Sequence, residues 1–225
     1  MTELLPLAML GGVLGLDVVS FPQMMVSRPL VAATLGGALA GDATMGLVVG
    51  VTLELIALAT LPFGASRYPE WGSASVVGGA IASALHTEQA GALTIGVLAA
   101  LATAWVGGLT LVQIRLGIAW LARRRRPALD AGSRGAVIGL QLAGLTGDMV
   151  RASLLTAVGF LVLFPVAEAT LGTWSLGESL SRGFVVSAAS AVAGAAAWTI
   201  FHSARGARWY FVGGLVLGLA VLGMR

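Results

Sequence analysis

The 225-residue chain contains no cysteine, which excludes disulfides, thiolate metal sites and a cysteine nucleophile. It also has no lysine: all 13 of its basic residues are arginines, a bias we attribute to base composition rather than mechanism. Charge of either sign is scarce at 10% of residues, against 57% hydrophobic residues, more apolar surface than a soluble domain of this length can bury. The period-two alternation of a transmembrane β-barrel is missing, since the apolar runs are continuous. No Walker loop, HExxH, GxSxG or nucleotide-binding glycine motif stands in a suitable context, and His86 and His202 share no metal-ligand spacing. Covalent chemistry, a metal and a cofactor are therefore not expected in this chain, nor is a nucleic-acid partner. The expected class is all-α, a polytopic integral membrane protein with broken or re-entrant helices.

What is present is glycine, 32 residues of it, the residue that lets helices approach closely in lipid and break where a cavity is needed. Leu4–Val19 is apolar but short for a roughly 30 Å hydrocarbon core, so it reads as a half-span or a tilted helix. Pro22 and Pro29 place a break over 20–28, and 31–41 is again too short to cross. Residues 43–61 form a good span, with Gly46 and Gly50 in a small-xxx-small pattern, and Pro62, Gly64 and Pro69 end it in an irregular loop. Residues 73–85 are small and apolar. Residues 91–121 read as one long helix or as two segments hinged at Gly107-Gly108. The contiguous arginines Arg123 to Arg126 then mark a basic loop, 123–134, that the positive-inside rule places in the cytoplasm. That loop divides a single membrane domain, 1–225, into helical halves 1–122 and 135–225. In the second half, 135–149 is expected to be a re-entrant or surface segment, followed by spans at 152–171, 183–201 and 209–224. The Met-Thr-Glu start has no basic n-region, so the first apolar stretch is expected to stay in the mature protein.

The segment from Asp17 to Glu70 concentrates the polar residues. Glu54 lies about 11 residues, roughly 16 Å, along its helix and so near the bilayer midplane, where a carboxylate faces a polar cavity, pairs with a cation or is protonated. The two readings are a ligand contact and a structural Glu54–Arg28 pair. Gln23, just after Pro22, offers amide donors and an acceptor where a broken helix frees backbone groups. Asp17 is similar but nearer a helix end, so solvation at the interface fits equally. Ser66, Tyr68 and Glu70 line either a vestibule or gate, or an ordinary wet loop. Asp148 and Arg151, three apart, read best as a plain structural ion pair. A faint repeat links Leu10–Asp17 with Leu35–Asp42, and Asp42 by itself reads as a helix terminus.

The run Gln23-Met-Met-Val-Ser27-Arg28-Pro29-Leu30-Val31-Ala32, then Gly41-Asp42, Leu53-Glu54-Leu55, Leu61-Pro62-Phe63-Gly64-Ala65-Ser66 and Tyr68-Pro69-Glu70, resembles the membrane subunit IIC of the mannose/fructose/sorbose-type sugar phosphotransferase system. The likeness covers about residues 10 to 72. It implies a sugar-translocating channel in the bacterial inner membrane, built with a second membrane subunit, IID, and served by cytoplasmic IIA and IIB phosphocarriers. It also implies a trimer of IIC–IID pairs. On these motifs Gln23 and Glu54 match sugar contacts, with Asp17 and Ser66 as further candidates. Arg28, Pro62, Gly64, Tyr68 and Glu70 are the gate or structural candidates. The alternatives are an ion- or proton-coupled secondary transporter that titrates Glu54, and a non-transporting regulatory membrane subunit.

Overall fold

The computed structural model describes residues 4–60, 68–85 and 91–224, and among these the regular structure is entirely helical. Three short helices open the chain: α1 (Leu4–Val19), α2 (Pro29–Leu39) and α3 (Ala43–Ala57), the last extended by a 3-10 turn at Leu58–Thr60. Local chemistry sets their boundaries. Pro29 is the first residue of α2, where its missing N–H is no loss. Asp42 caps α3, its carboxylate accepting the N–H groups of Thr44 at 2.8 Å and Met45 at 3.0 Å, as expected of a helix terminus. Helix α4 (Trp71–Leu85) follows, then the long α5 (Ala92–Arg124), a short α6 (Arg126–Asp130), the longest helix α7 (Arg134–Leu171), and α8 (Glu178–Phe201) and α9 (Ala207–Gly223).

Helix α4 is the axis of the molecule. Nearly every residue in its run of Gly, Ala, Ser and Val is buried, because α1, α2, α3, α5 and α7 all pack on it. Small side chains make this enclosure possible. A Cβ on Gly36 of α2 would lie 2.5 Å from the carbonyl oxygen of Val76, and one on Gly46 of α3 would lie 2.5 Å from that of Ala33. Larger side chains fill the spaces left: Met45, Val49, Leu53, Leu93 and Val97 form one cluster, and Leu7 and Leu14 of α1 form another with Val76 of α4.

Among the described residues four stretches, Ala43–Thr60, α5, α7 and α8, are long and apolar enough to cross a membrane. At about 1.5 Å per residue, α5 and α7 exceed the thickness of the hydrocarbon core, whereas α1, α2 and α4 fall short of it. Large apolar side chains on α8 and α9, among them Phe184, Trp209, Tyr210 and Leu215, are exposed, a surface suited to lipid.

The structure revises one expectation and decides between the two readings of another, in favour of a single long α5. The region 135–149 is not a re-entrant or surface segment: it is the first part of α7, which runs unbroken through Pro165 to Leu171. Asp148 and Arg151 pair with each other at 3.1 Å inside the protein, so no helix end is needed to solvate them. In α5, Gly107-Gly108 is not a hinge. It is a close-approach point, where a Cβ on Gly108 would sit 2.7 Å from the carbonyl oxygen of Tyr68.

Candidate binding site

The 20–28 segment joins α1 to α2 and is organised around Asp17, which is 2% exposed and sits one turn before the end of α1. Its carboxylate accepts the backbone N–H of Met24 at 2.6 Å and that of Ser27 at 2.9 Å, closing the loop on itself. Two non-glycine residues in the loop occupy the left-handed region, Gln23 at φ 60° and Met25 at φ 63°. Such conformations persist only where the surroundings over-determine them, and they concentrate at functional sites.

Past the loop, the Arg28 guanidinium forms an ion pair and hydrogen bond with Glu54 Oε1 on α3. Glu54 Oε2 accepts the N–H of Leu30 at 3.2 Å, so one carboxylate both neutralises Arg28 and caps the first turn of α2. The pair weighed as a structural reading thus exists.

A cavity of about 380 Å³ opens between this loop and the segment before α4. Its polar wall is Asp17, Gln23, Ser27 and Arg28; Thr60, Tyr68 and Trp71 face them, with Met25, Pro29, Ala57 and Pro69 supplying apolar surface. Trp71 Nε1 donates to Thr60 Oγ1 at 3.2 Å, fixing the indole. Arg115 of α5 donates to the Tyr68 hydroxyl at 3.0 Å, with its guanidinium 5.5 Å from the centre of the Tyr68 ring. Hydroxyl, amide, carboxylate and guanidinium groups beside two aromatic rings suit a small polar ligand with one apolar face. A second cavity of about 410 Å³, lined by Leu4, Leu7, Ala40, Ala84, Phe160, Leu161, Phe164 and Pro165, offers no such side chains and cannot orient a polar ligand.

The cavity therefore gathers Asp17, Gln23, Arg28 and Tyr68, while Glu54 stands behind Arg28 and does not line it. Pro62, Gly64 and Ser66 lie outside the described residues. Glu70 is not in a wet loop. It is completely buried, its N–H donating to Ala104 O at 3.1 Å and its Oε1 accepting the Ser73 N–H at 3.2 Å, so it ties the start of α4 to α5. Trp71, Thr60 and Arg115 escaped the sequence reading. Arg115 had a signal, an ionisable side chain inside a long apolar run, which by itself asks for a partner. Among the described residues no three His, Cys, Asp or Glu side chains are gathered as a metal site.

Comparison with known proteins finds related sequences and a related fold. The chain is 29% identical over 132 residues to the mannose-specific EIIC component of Escherichia coli (strain K12), covering 59% of this chain and 48% of that protein. It is 33% identical over 93 residues to the sorbose-specific EIIC component of Klebsiella pneumoniae, covering 41% and 34%. It is 26% identical over 159 residues to the fructose permease IIC component of Bacillus subtilis (strain 168), covering 71% and 57%. The chain thus spans about half the length of the curated relatives it matches. In fold it resembles a solved membrane protein with a TM-score of 0.72 at 19% identity, covering 100% of this chain and 92% of that one. It also resembles a chain of the mannose transporter ManYZ in complex with microcin E492, with a TM-score of 0.62 at 20% identity, covering 99% and 92%. Residues 2–123 match the family described as the PTS system sorbose-specific IIC component, and they carry the whole cavity described above. This multi-pass membrane protein belongs to the sorbose-specific IIC component family of the sugar phosphotransferase system.

Proposed function

We propose that this chain is the sugar-translocating membrane subunit of a phosphoenolpyruvate-dependent phosphotransferase system. It binds a hexose-like sugar of the mannose, fructose or sorbose class in the cavity between the 20–28 loop and Trp71. The observation that carries the reading is the meeting of Gln23 and Arg28 with Tyr68 and Trp71 around one cavity of about 380 Å³. An amide and a guanidinium match sugar hydroxyls, and aromatic rings match the apolar face of a pyranose or furanose. Glu54 acts through Arg28, holding its guanidinium at the cavity wall. Ser66 is a further candidate contact, and Pro62, Gly64 and Tyr68 remain candidates for a gate.

In this proposal the whole of 1–225 is one membrane-embedded unit in the bacterial inner membrane. It works with a IID membrane subunit as a trimer of IIC–IID pairs, and of the cytoplasmic IIA and IIB phosphocarriers IIB phosphorylates the sugar as it emerges. Names of relatives and the fold likeness to ManYZ support these partners. A proton-coupled transporter that titrates Glu54 is the less favoured reading, because that carboxylate is already engaged by Arg28 and by a helix terminus. Uptake of labelled sugar in cells expressing the chain with these partners separates the two. Uptake that stops when the phosphoryl donor chain is removed supports the proposal. Uptake that persists there but collapses with the proton gradient overturns it.

A further inference from the structure

The 20–28 loop is held by two carboxylates, and the second belongs to the other half of the chain. Ser20 Oγ donates to Asp148 Oδ2 of α7 at 2.7 Å. Asp148 Oδ1 accepts from Arg151 Nε at 3.1 Å, and Arg151 Nη1 reaches Thr110 Oγ1 of α5 at 3.5 Å. The side chains of Arg151 and Asp148 are only 8% and 10% exposed. Burying an ion pair is costly, and well-packed apolar residues of the same volume often serve stability as well or better, so stability by itself is a weak reason for the pair. What an apolar pair could not supply is the charged acceptor that Ser20 uses, three residues before the left-handed Gln23.

We propose that Asp148 and Arg151 are positioning residues for the binding cavity. Arg151, braced on Thr110, orients Asp148; Asp148 pins Ser20; and Ser20, with Asp17 holding the Met24 and Ser27 amides, sets where the Gln23 amide points. The two anchors divide the work. Asp17 closes the loop through the Met24 and Ser27 amides, while Asp148 fixes the loop to α7. The inference rests on the reading of the cavity as a sugar site.

The test uses Ser20→Ala and the conservative Ser20→Thr in the full chain, since Asp148 variants could simply fail to fold. Hydrogen exchange of the 21–28 amides is followed in lipid nanodiscs without ligand, beside binding of radiolabelled mannose, fructose and sorbose. Ser20→Ala is expected to speed exchange in the loop about tenfold. Protection of α4 should change much less than that of the loop, and the melting temperature should fall by only a few degrees. The variant should also weaken sugar binding about fivefold or more with the number of sites unchanged, and Ser20→Thr should restore both properties. Unchanged loop exchange in Ser20→Ala overturns the proposal, as does faster exchange with unaltered affinity, or equal loss in Ser20→Thr. If the wild-type chain binds none of the three sugars, the sugar reading fails, and loop exchange still decides whether the clasp fixes the loop.

Discussion

Arg28 and Glu54 are ion-paired across the gap between α2 and α3, and of the two only Arg28 reaches the cavity. The glutamate satisfies the first turn of α2 through the Leu30 amide as well. If the cavity is the sugar site, as proposed, Glu54 acts one step back from the ligand by fixing the direction of the guanidinium in front of it.

Glu54→Gln should therefore weaken sugar binding by about tenfold or more, because Arg28 loses the charged half of its pair. Membrane insertion should be retained, since a neutral amide is easier to place in lipid than a carboxylate. Affinity and membrane yield measured together check this, and normal affinity in Glu54→Gln contradicts it.

Trp71 contributes a ring face and one hydrogen bond to Thr60. Trp71→Phe keeps the apolar face and is expected to lower affinity only a few-fold, whereas Trp71→Ala should lower it about tenfold. Binding of labelled sugar measures both, and equal affinities for the two variants would show that the ring does not touch the ligand.

Asp17 and Asp42 close similar glycine-rich sequences but carry different loads. The Asp42 carboxylate caps α3, so Asp42→Ala should cost about 1 kcal/mol of stability and leave affinity alone. Asp17→Ala frees two loop amides beside the cavity and should reduce affinity more than it lowers the melting temperature. Thermal melting and binding on both variants check the contrast, and the reverse pattern refutes it.

Gly36 and Gly213 separate packing glycines from incidental ones. A Cβ on Gly36 meets the α4 backbone at 2.5 Å, while one on Gly213 meets nothing within 4 Å. Gly36→Val should destabilise the helix core by about 1–3 kcal/mol or prevent folding, and Gly213→Ala should be neutral, as read by melting in detergent.

Features governed by local chemistry were legible in the sequence. Pro22 and Pro29 marked a real break, Asp42 a real cap, and the Arg28–Glu54 pair stood among the two readings offered for those residues. What stayed hidden depends on contacts distant in sequence. Asp148 and Arg151 were legible as an ion pair from their spacing, but nothing local shows that α1 and α5 enclose it. Glu70 beside Pro69 looked like a surface loop, yet its neighbours are Ala104 and Gly107, more than 30 residues away. The cavity, likewise, needs Trp71 brought opposite Gln23 by the packing of α1 and α4, which no spacing in the chain encodes.

The central claim is that the cavity between Gln23 and Trp71 holds the sugar. Its most direct test is equilibrium binding of radiolabelled mannose, fructose and sorbose to the reconstituted chain with its partner subunits, wild type against a folded Gln23→Ala variant. The account predicts saturable binding of at least one of these sugars that falls about tenfold or more in the variant. Absence of saturable binding by the wild type, or equal binding by Gln23→Ala, would contradict it.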